Sequence, residues 1–251
     1  MSLKFSFKDE NFSLDRLNLP SRYYLFKEKE NYIKLLNIGE GIFPKDRIKT
    51  NFKLDNSNLI ITTESATKIY PSNSKFYSIN LIDINIQNSS NLEFLNDELI
   101  LYKDAKFIQT FRLVFDKSST FFYTDILSNG RSFEDFDFTS MKIKNTFFEN
   151  DKCEYIEKFD IDGLELKDYV KRKSSVKNLF AKVYIKTLDN ETFLKTLEKE
   201  EVFTFTYSKS KKLIIGVLSS DNMAILKEKV SNIWDIYRNT LQKNKFNMGK
   251  Q

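Results

Sequence analysis

The chain has 251 residues, 41% of them hydrophobic, and its 24 Phe and 12 Tyr supply bulky apolar area for a core. Its 40 basic and 35 acidic residues are interleaved and leave a net charge of +5, whereas a nucleic-acid binder gathers its charge into a patch or stripe. There is no histidine, which excludes Ser-His-Asp and Cys-His triads, His-ligated zinc and imidazole acid–base chemistry, and the single Cys153 excludes an intramolecular disulfide.

Period-two patterns dominate the chain. Leu3, Phe5 and Phe7 alternate with polar residues and predict a first strand. Leu59, Ile60 and Ile61 form an apolar run that turns hydroxyl-rich at Thr62, Thr63, Ser65, Thr67 and Ser72, beside Glu64 and Lys68. A plain core strand has no use for so many hydrogen-bonding side chains, because each needs a partner once buried. Tyr77, Ile79 and Leu81 alternate, and the apolar phase then shifts to Ile82, Ile84 and Ile86, which predicts a bulge or a change of sheet. Phe107, Phe111, Leu113 and Phe115 line one side of another strand, opposite Arg112 and Asp116. Further strands are predicted at 121–127, 142–148, 154–159, 179–187, 202–207 and 212–218, with Cys153 a small strand residue.

The basic cluster from Lys167 to Lys177, centred on Lys171, Arg172 and Lys173, is predicted as a solvated loop, or else a docking surface for an acidic partner. Asp189 caps a short predicted helix over 191–200. A longer helix is predicted from about 222 to 241, with Asp221 as its N-cap. Its residues Met223, Leu226, Val230, Ile233, Trp234, Tyr237 and Leu241 step by three and four. The periodicity thus predicts a mainly β chain with two helices, one near the C-terminus. The N-terminal residues lack an apolar signal region, and no run approaches the ~20 apolar residues of a membrane helix, so a soluble cytoplasmic protein is expected. No Gly-rich phosphate loop occurs. Carboxylate-pair hydrolysis by a β-fold enzyme, and basic nucleic-acid binding by a β protein, remain as alternative functions. Turnover of a sugar polymer would support the first, and steeply salt-dependent retention on DNA or RNA the second.

The stretch Thr62-Thr63-Glu64-Ser65-Ala66-Thr67-Lys68-Ile69-Tyr70 resembles the Thr-Thr-x-x-Ala-Thr-Lys-x-Tyr motif of the urease accessory protein family called UreD, or UreH. Gly39-Glu40-Gly41-Ile42-Phe43-Pro44-Lys45-Asp46 resembles its Gly-rich segment, with Lys45 in place of the Gly before Asp46. Leu92-Glu93-Phe94-Leu95 and Asp97-Glu98-Leu99-Ile100 resemble a further element. Asp125-Ile126-Leu127, Gly130-Arg131 and Glu134-x-Phe136 resemble Glu-Ile-Leu, Gly-Arg and Gly-Glu-x-Phe, although Asp125 replaces the usual Glu and Phe133 the usual Gly. Asp221, Trp234 and Arg238 match a spacing in the last helix. The resemblance is strongest over 20–241, and residues 1–251 are expected to form one such domain.

The resemblance implies an elongated fold of stacked sheets, β-helix-like. It implies a scaffold for urease maturation and not an enzyme, with no tightly bound cofactor. Its partners would be the urease subunits, UreF and UreG, in a two-to-two complex with UreF; GTP would be used by UreG and not by this chain. Neither nucleic acid nor membrane is an expected partner. Nickel would pass in transit through an internal passage. Asp46, Glu64, Glu93 and Glu98 are the expected transient conduit residues, with no firm metal ligand. Thr62, Thr63, Thr67, Lys68 and Tyr70 are expected to form a polar seam, either ordering that lining or bonding between strands. Asp125, Arg131, Glu134, Trp234 and Arg238 are candidates for partner surfaces, with core packing the alternative for Trp234 and an internal ion pair for Arg131. An oxygen-ligand path without His or a Cys cluster holds a borderline metal weakly, which suits passage.

Overall fold

The structure is a computed structural model that describes residues 1–27, 29–37, 40–173, 177–202 and 204–249. The strands are β1 Ser2–Lys8, β2 Asn11–Asn18, β3 Ser21–Lys27, β4 Asn31–Asn37, β5 Arg47–Asp55, β6 Asn58–Thr63, β7 Thr67–Ile69 and β8 Ser78–Gln87. They continue with β9 Asn91–Leu101, β10 Lys106–Phe115, β11 Thr120–Ser128, β12 Ser140–Glu149, β13 Lys152–Ile161, β14 Leu179–Lys186, β15 Phe205–Tyr207 and β16 Ile214–Ser220. The helices are α1 Gly163–Arg172, α2 Asn190–Lys199 and α3 Met223–Thr240.

Two sheets face each other. One has the order β13-β12-β10-β8-β5-β1-β2, and the other β15-β16-β14-β11-β9-β6-β4-β3, with β7 paired to β9. From β5 to β12 the chain passes from one sheet to the other and back, adding a parallel strand each time. The result is a solenoid-like stack, mainly β, closed at both ends by antiparallel pairs.

Phe5, Phe7, Phe52, Phe94, Phe111, Phe115 and Phe121 fill the space between the sheets. Each such fully buried ring contributes about 1.5–3 kcal/mol. Phe111 stacks on Tyr123 with ring centroids 3.8 Å apart. A second core lies on the outer face of the β9–β11–β14 sheet, beneath α2 and α3.

The structure corrects the sequence reading at four points. β8 carries no bulge, because it pairs continuously with both β5 and β10. Its apolar phase changes because Asn80 takes an inner position that Ile82, Ile84 and Ile86 occupy further along. The strand predicted over 202–207 shortens to Phe205–Tyr207, and Phe203 lies outside the described residues.

Part of the basic cluster is helix α1, not loop, with residues 174–176 outside the described ones. Its signal is a capping box: the Glu165 amide donates to Asp162 Oδ1 at 2.8 Å, and Glu165 accepts from the Asp162 amide at 3.3 Å. Gly163 lets the helix start against the loop before it, since a Cβ there would sit 1.8 Å from the Phe136 carbonyl oxygen.

The cap of α3 is Asn222, not Asp221: Asn222 Oδ1 accepts from the Ala224 and Ile225 amides at 2.9 and 3.2 Å. Asn222→Ala is expected to lower stability by about 1 kcal/mol in urea unfolding, and Asp221→Ala to leave it near wild type. The reverse order would refute this assignment.

Candidate functional site

A cavity of about 960 Å³ lies between the two sheets. Ser21, Arg22 and Leu35, from β3 and β4, line one part of it, and Phe159, Lys182 and the α1 residues Leu166 and Tyr169 line another. Its wall mixes aliphatic side chains with an internal polar layer. That layer arises where amides interrupt otherwise apolar inner rows: Asn80 on β8, Gln109 on β10 and Asn145 on β12.

Hydrogen bonds join the sheets through this layer. Asn80 Nδ2 donates to Gln109 Oε1 at 3.1 Å, and Gln109 Nε2 donates to Asp125 Oδ2 at 3.3 Å. Asn96 Nδ2 donates to Asp125 Oδ1 at 3.1 Å. Asp125 lies opposite a register irregularity where Leu95 pairs with Thr124 and Glu98 with Ile126. The extra β9 residue brings both Asn96 and Asp97 to the cavity wall. Burial pushes the Asp125 carboxyl up, opposed by these hydrogen bonds and by the Lys182 charge.

The Thr-rich motif runs along the cavity wall: Thr63, Glu64, Ser65, Ala66, Thr67 and Lys68 all line it. Thr63 Oγ1 accepts from the Asp97 amide at 2.9 Å, and Glu64 pairs with Lys34 at 3.4 Å. Thr62 points away, donating to the Leu95 carbonyl at 2.7 Å. Tyr70 donates to Glu40 at 2.8 Å and stacks on Phe43 at 4.4 Å. The Gly-rich segment lies against this motif, because the Ile42 amide donates to the Lys68 carbonyl and the Tyr70 amide to the Ile42 carbonyl. Gly39 lies outside the described residues.

Asp46, Glu98 and Glu93, three carboxylates expected along a passage, are not among the residues that line this cavity. Asp46 closes a turn, its Oδ2 accepting from the Phe43 amide at 3.0 Å. Glu98 pairs with Lys227 of α3 at 2.6 Å. Glu93 is fully buried beneath α3, where it accepts from Trp234 Nε1 at 2.6 Å and pairs with Arg238 at 2.5 Å. Trp234 and Arg238 are themselves 1% and 0% exposed, so neither side chain is available to a partner. Asp125 likewise faces the cavity and not the surface.

Arg131 pairs with Glu134 at 2.7 Å and lies 4.7 Å from the Tyr102 ring centroid. With Phe43, Tyr70 and the exposed Phe133 it forms an outward-facing aromatic and charged region. Among the described residues, no group of three or more His, Cys, Asp or Glu could hold a metal, and no helix is long and apolar enough to cross a membrane.

A family model described as "UreD urease accessory protein" matches residues 17–248. The urease accessory protein UreD of Aliarcobacter butzleri is 64% identical over 251 residues, all of both chains. UreD of Staphylococcus epidermidis is 37% identical over 106 residues, 42% of this chain and 38% of its own. UreD of Bacillus sp. is 34% identical over 115 residues, 45% of this chain and 42% of its own. This chain belongs to the UreD family of urease accessory proteins.

Proposed function

We propose that this chain is a non-catalytic scaffold of urease maturation, binding the urease apoprotein and the UreF–UreG accessory proteins, and that nickel passes through its inter-sheet cavity. Family membership supports a role in urease maturation. The cavity carries the finer reading: it is large, lies along the stack and has oxygen and nitrogen groups on its wall. Such a wall binds a borderline cation weakly, so the ion can leave as readily as it enters. The chain's lack of histidine and its exposed Cys153 fit the same requirement. The Arg131–Glu134 region and its neighbouring aromatics are the favoured partner-facing surface, because aromatics and Arg anchor interfaces.

The test is co-expression of the urease subunits, UreF and UreG with and without this chain. Nickel-dependent urease activity should require the chain, and the chain should co-purify with UreF and apo-urease. Full activity in its absence would refute the proposal.

A further inference from the structure

Helix α3 ends on a signal that its own sequence supports poorly. The Gln242 amide donates to the Asn239 carbonyl at 3.0 Å and the Lys243 amide to the Arg238 carbonyl at 2.9 Å, the paired bonds of a Schellman ending. That ending puts Gln242 at φ +55°, in the left-handed region where glycine or asparagine is preferred. The residues from Leu241 to Met248 include neither glycine nor proline, so no local breaker stops the helix there. What holds the turn is the segment beyond it. Lys243 Nζ lies 3.3 Å from Glu93 and 3.8 Å from Glu30. Arg238 Nε donates to the Asn244 carbonyl at 2.7 Å, and the Tyr32 hydroxyl donates to the Met248 carbonyl at 2.9 Å. Phe246 and Met248 pack against the helix-covered core, while Lys245 and Asn247 alternate with them and stay exposed. Phe246 meets Tyr32 edge-on with centroids 5.2 Å apart, and the Arg238 guanidinium lies 5.7 Å from the Phe246 centroid. The segment is thus a short extended peptide seated in a groove between the β3–β4 hairpin and α3.

We propose that this groove accepts the same segment, Lys243 to Met248, from a second copy of the chain, so that two copies join by exchanging their C-terminal segments. Exchange keeps the contacts beyond the hinge and changes only Leu241 and Gln242, which makes it a low-cost route to a dimer. The groove specifies its occupant. It takes an ammonium at Glu93 and Glu30, a backbone carbonyl at Arg238, and a phenylalanine three residues after that lysine, against Tyr32. The chain's own tail has that pattern. In the exchanged form Gln242 leaves the left-handed region and α3 runs on through Leu241 and Gln242, both good helix formers. A short strained hinge of this kind invites exchange. Tethering favours the closed form, so the balance between the two depends on protein concentration.

The experiment follows the mass of the full chain by light scattering after size-exclusion chromatography, over a series of concentrations. Gln242→Pro fixes φ at about −65°, which forbids the closed hinge, and should be dimeric where wild type is mostly monomeric. Gln242→Gly relieves the hinge and should raise the dimer dissociation constant at least about tenfold over wild type. Adding Phe246→Ala to Gln242→Pro should return it to a monomer, because the exchanged segment loses its contact with Tyr32. A folded Gln242→Pro protein that stays monomeric would overturn the proposal, as would a dimer that survives Phe246→Ala. If Gln242→Pro does not fold, wild type against Gln242→Gly decides. Weaker association of the glycine variant supports exchange, and equal association, or none by either protein, overturns it.

Discussion

Replacing Arg238 with alanine is expected to lower the free energy of unfolding by about 3–5 kcal/mol, read from a urea midpoint. Arg238 is fully buried and bonds Glu93, also fully buried, at 2.5 Å. It bonds Glu30 with its other terminal nitrogen and the Asn244 carbonyl through Nε at 2.7 Å. Glu93 is held further by Trp234 at 2.6 Å, Asn91 at 2.8 Å and Lys243 at 3.3 Å. The cluster thus fastens α3 and the segment after it to β9. Losing the guanidinium leaves the buried Glu93 with Lys243 at 3.3 Å as its remaining counter-charge, so its desolvation is poorly compensated. The double variant Glu93→Gln with Arg238→Met removes both charges and should recover part of the loss. A midpoint for Arg238→Ala within about 0.5 kcal/mol of wild type would show that the pair contributes little.

Much of the fold was legible because inner rows alternate. Phe107, Phe111, Leu113 and Phe115 report one buried face, and the α3 residues from Leu226 to Tyr237 report another. The polar layer was harder to read, since one amide in an apolar row looks like a slipped phase. Asn80 produced that misreading, and Gln109 passed unnoticed in a row of phenylalanines. Whether a strand carboxylate faces the cavity or the helix layer depends on its position in the strand's alternation and on which face of its sheet the helices cover. Glu93 and Asp125 lie on neighbouring strands of one sheet, yet they face opposite sides of it. Sequence spacing carries no signal for that difference until the sheet order is known. Lys182 and Glu157 were missed for a similar reason: they pair across the gap, from β14 of one sheet to β13 of the other, which sequence spacing does not show. Helix α1 was recoverable, because Asp162 and Glu165 have the spacing of a capping box.

A plug tests the cavity itself. Ile82 lies on β8, is 7% exposed and lines the cavity. Ile82→Trp removes no polar group, and the indole can enter free space rather than packed core. Its stability cost should stay within the usual overpacking range of about 1–3 kcal/mol. The sheets of such a stack lie ~10 Å apart, so the added ring obstructs much of the gap. Lys53→Trp, on the exposed outer face of β5, is the control of equal bulk.

The decisive measurement is the nickel content of urease purified from cells co-expressing each variant with the urease subunits, UreF and UreG. Passage through the cavity predicts that Ile82→Trp still co-purifies with UreF and apo-urease, while urease nickel and activity fall at least about tenfold and Lys53→Trp matches wild type. Urease fully loaded with nickel in the presence of a folded, complex-bound Ile82→Trp would contradict it.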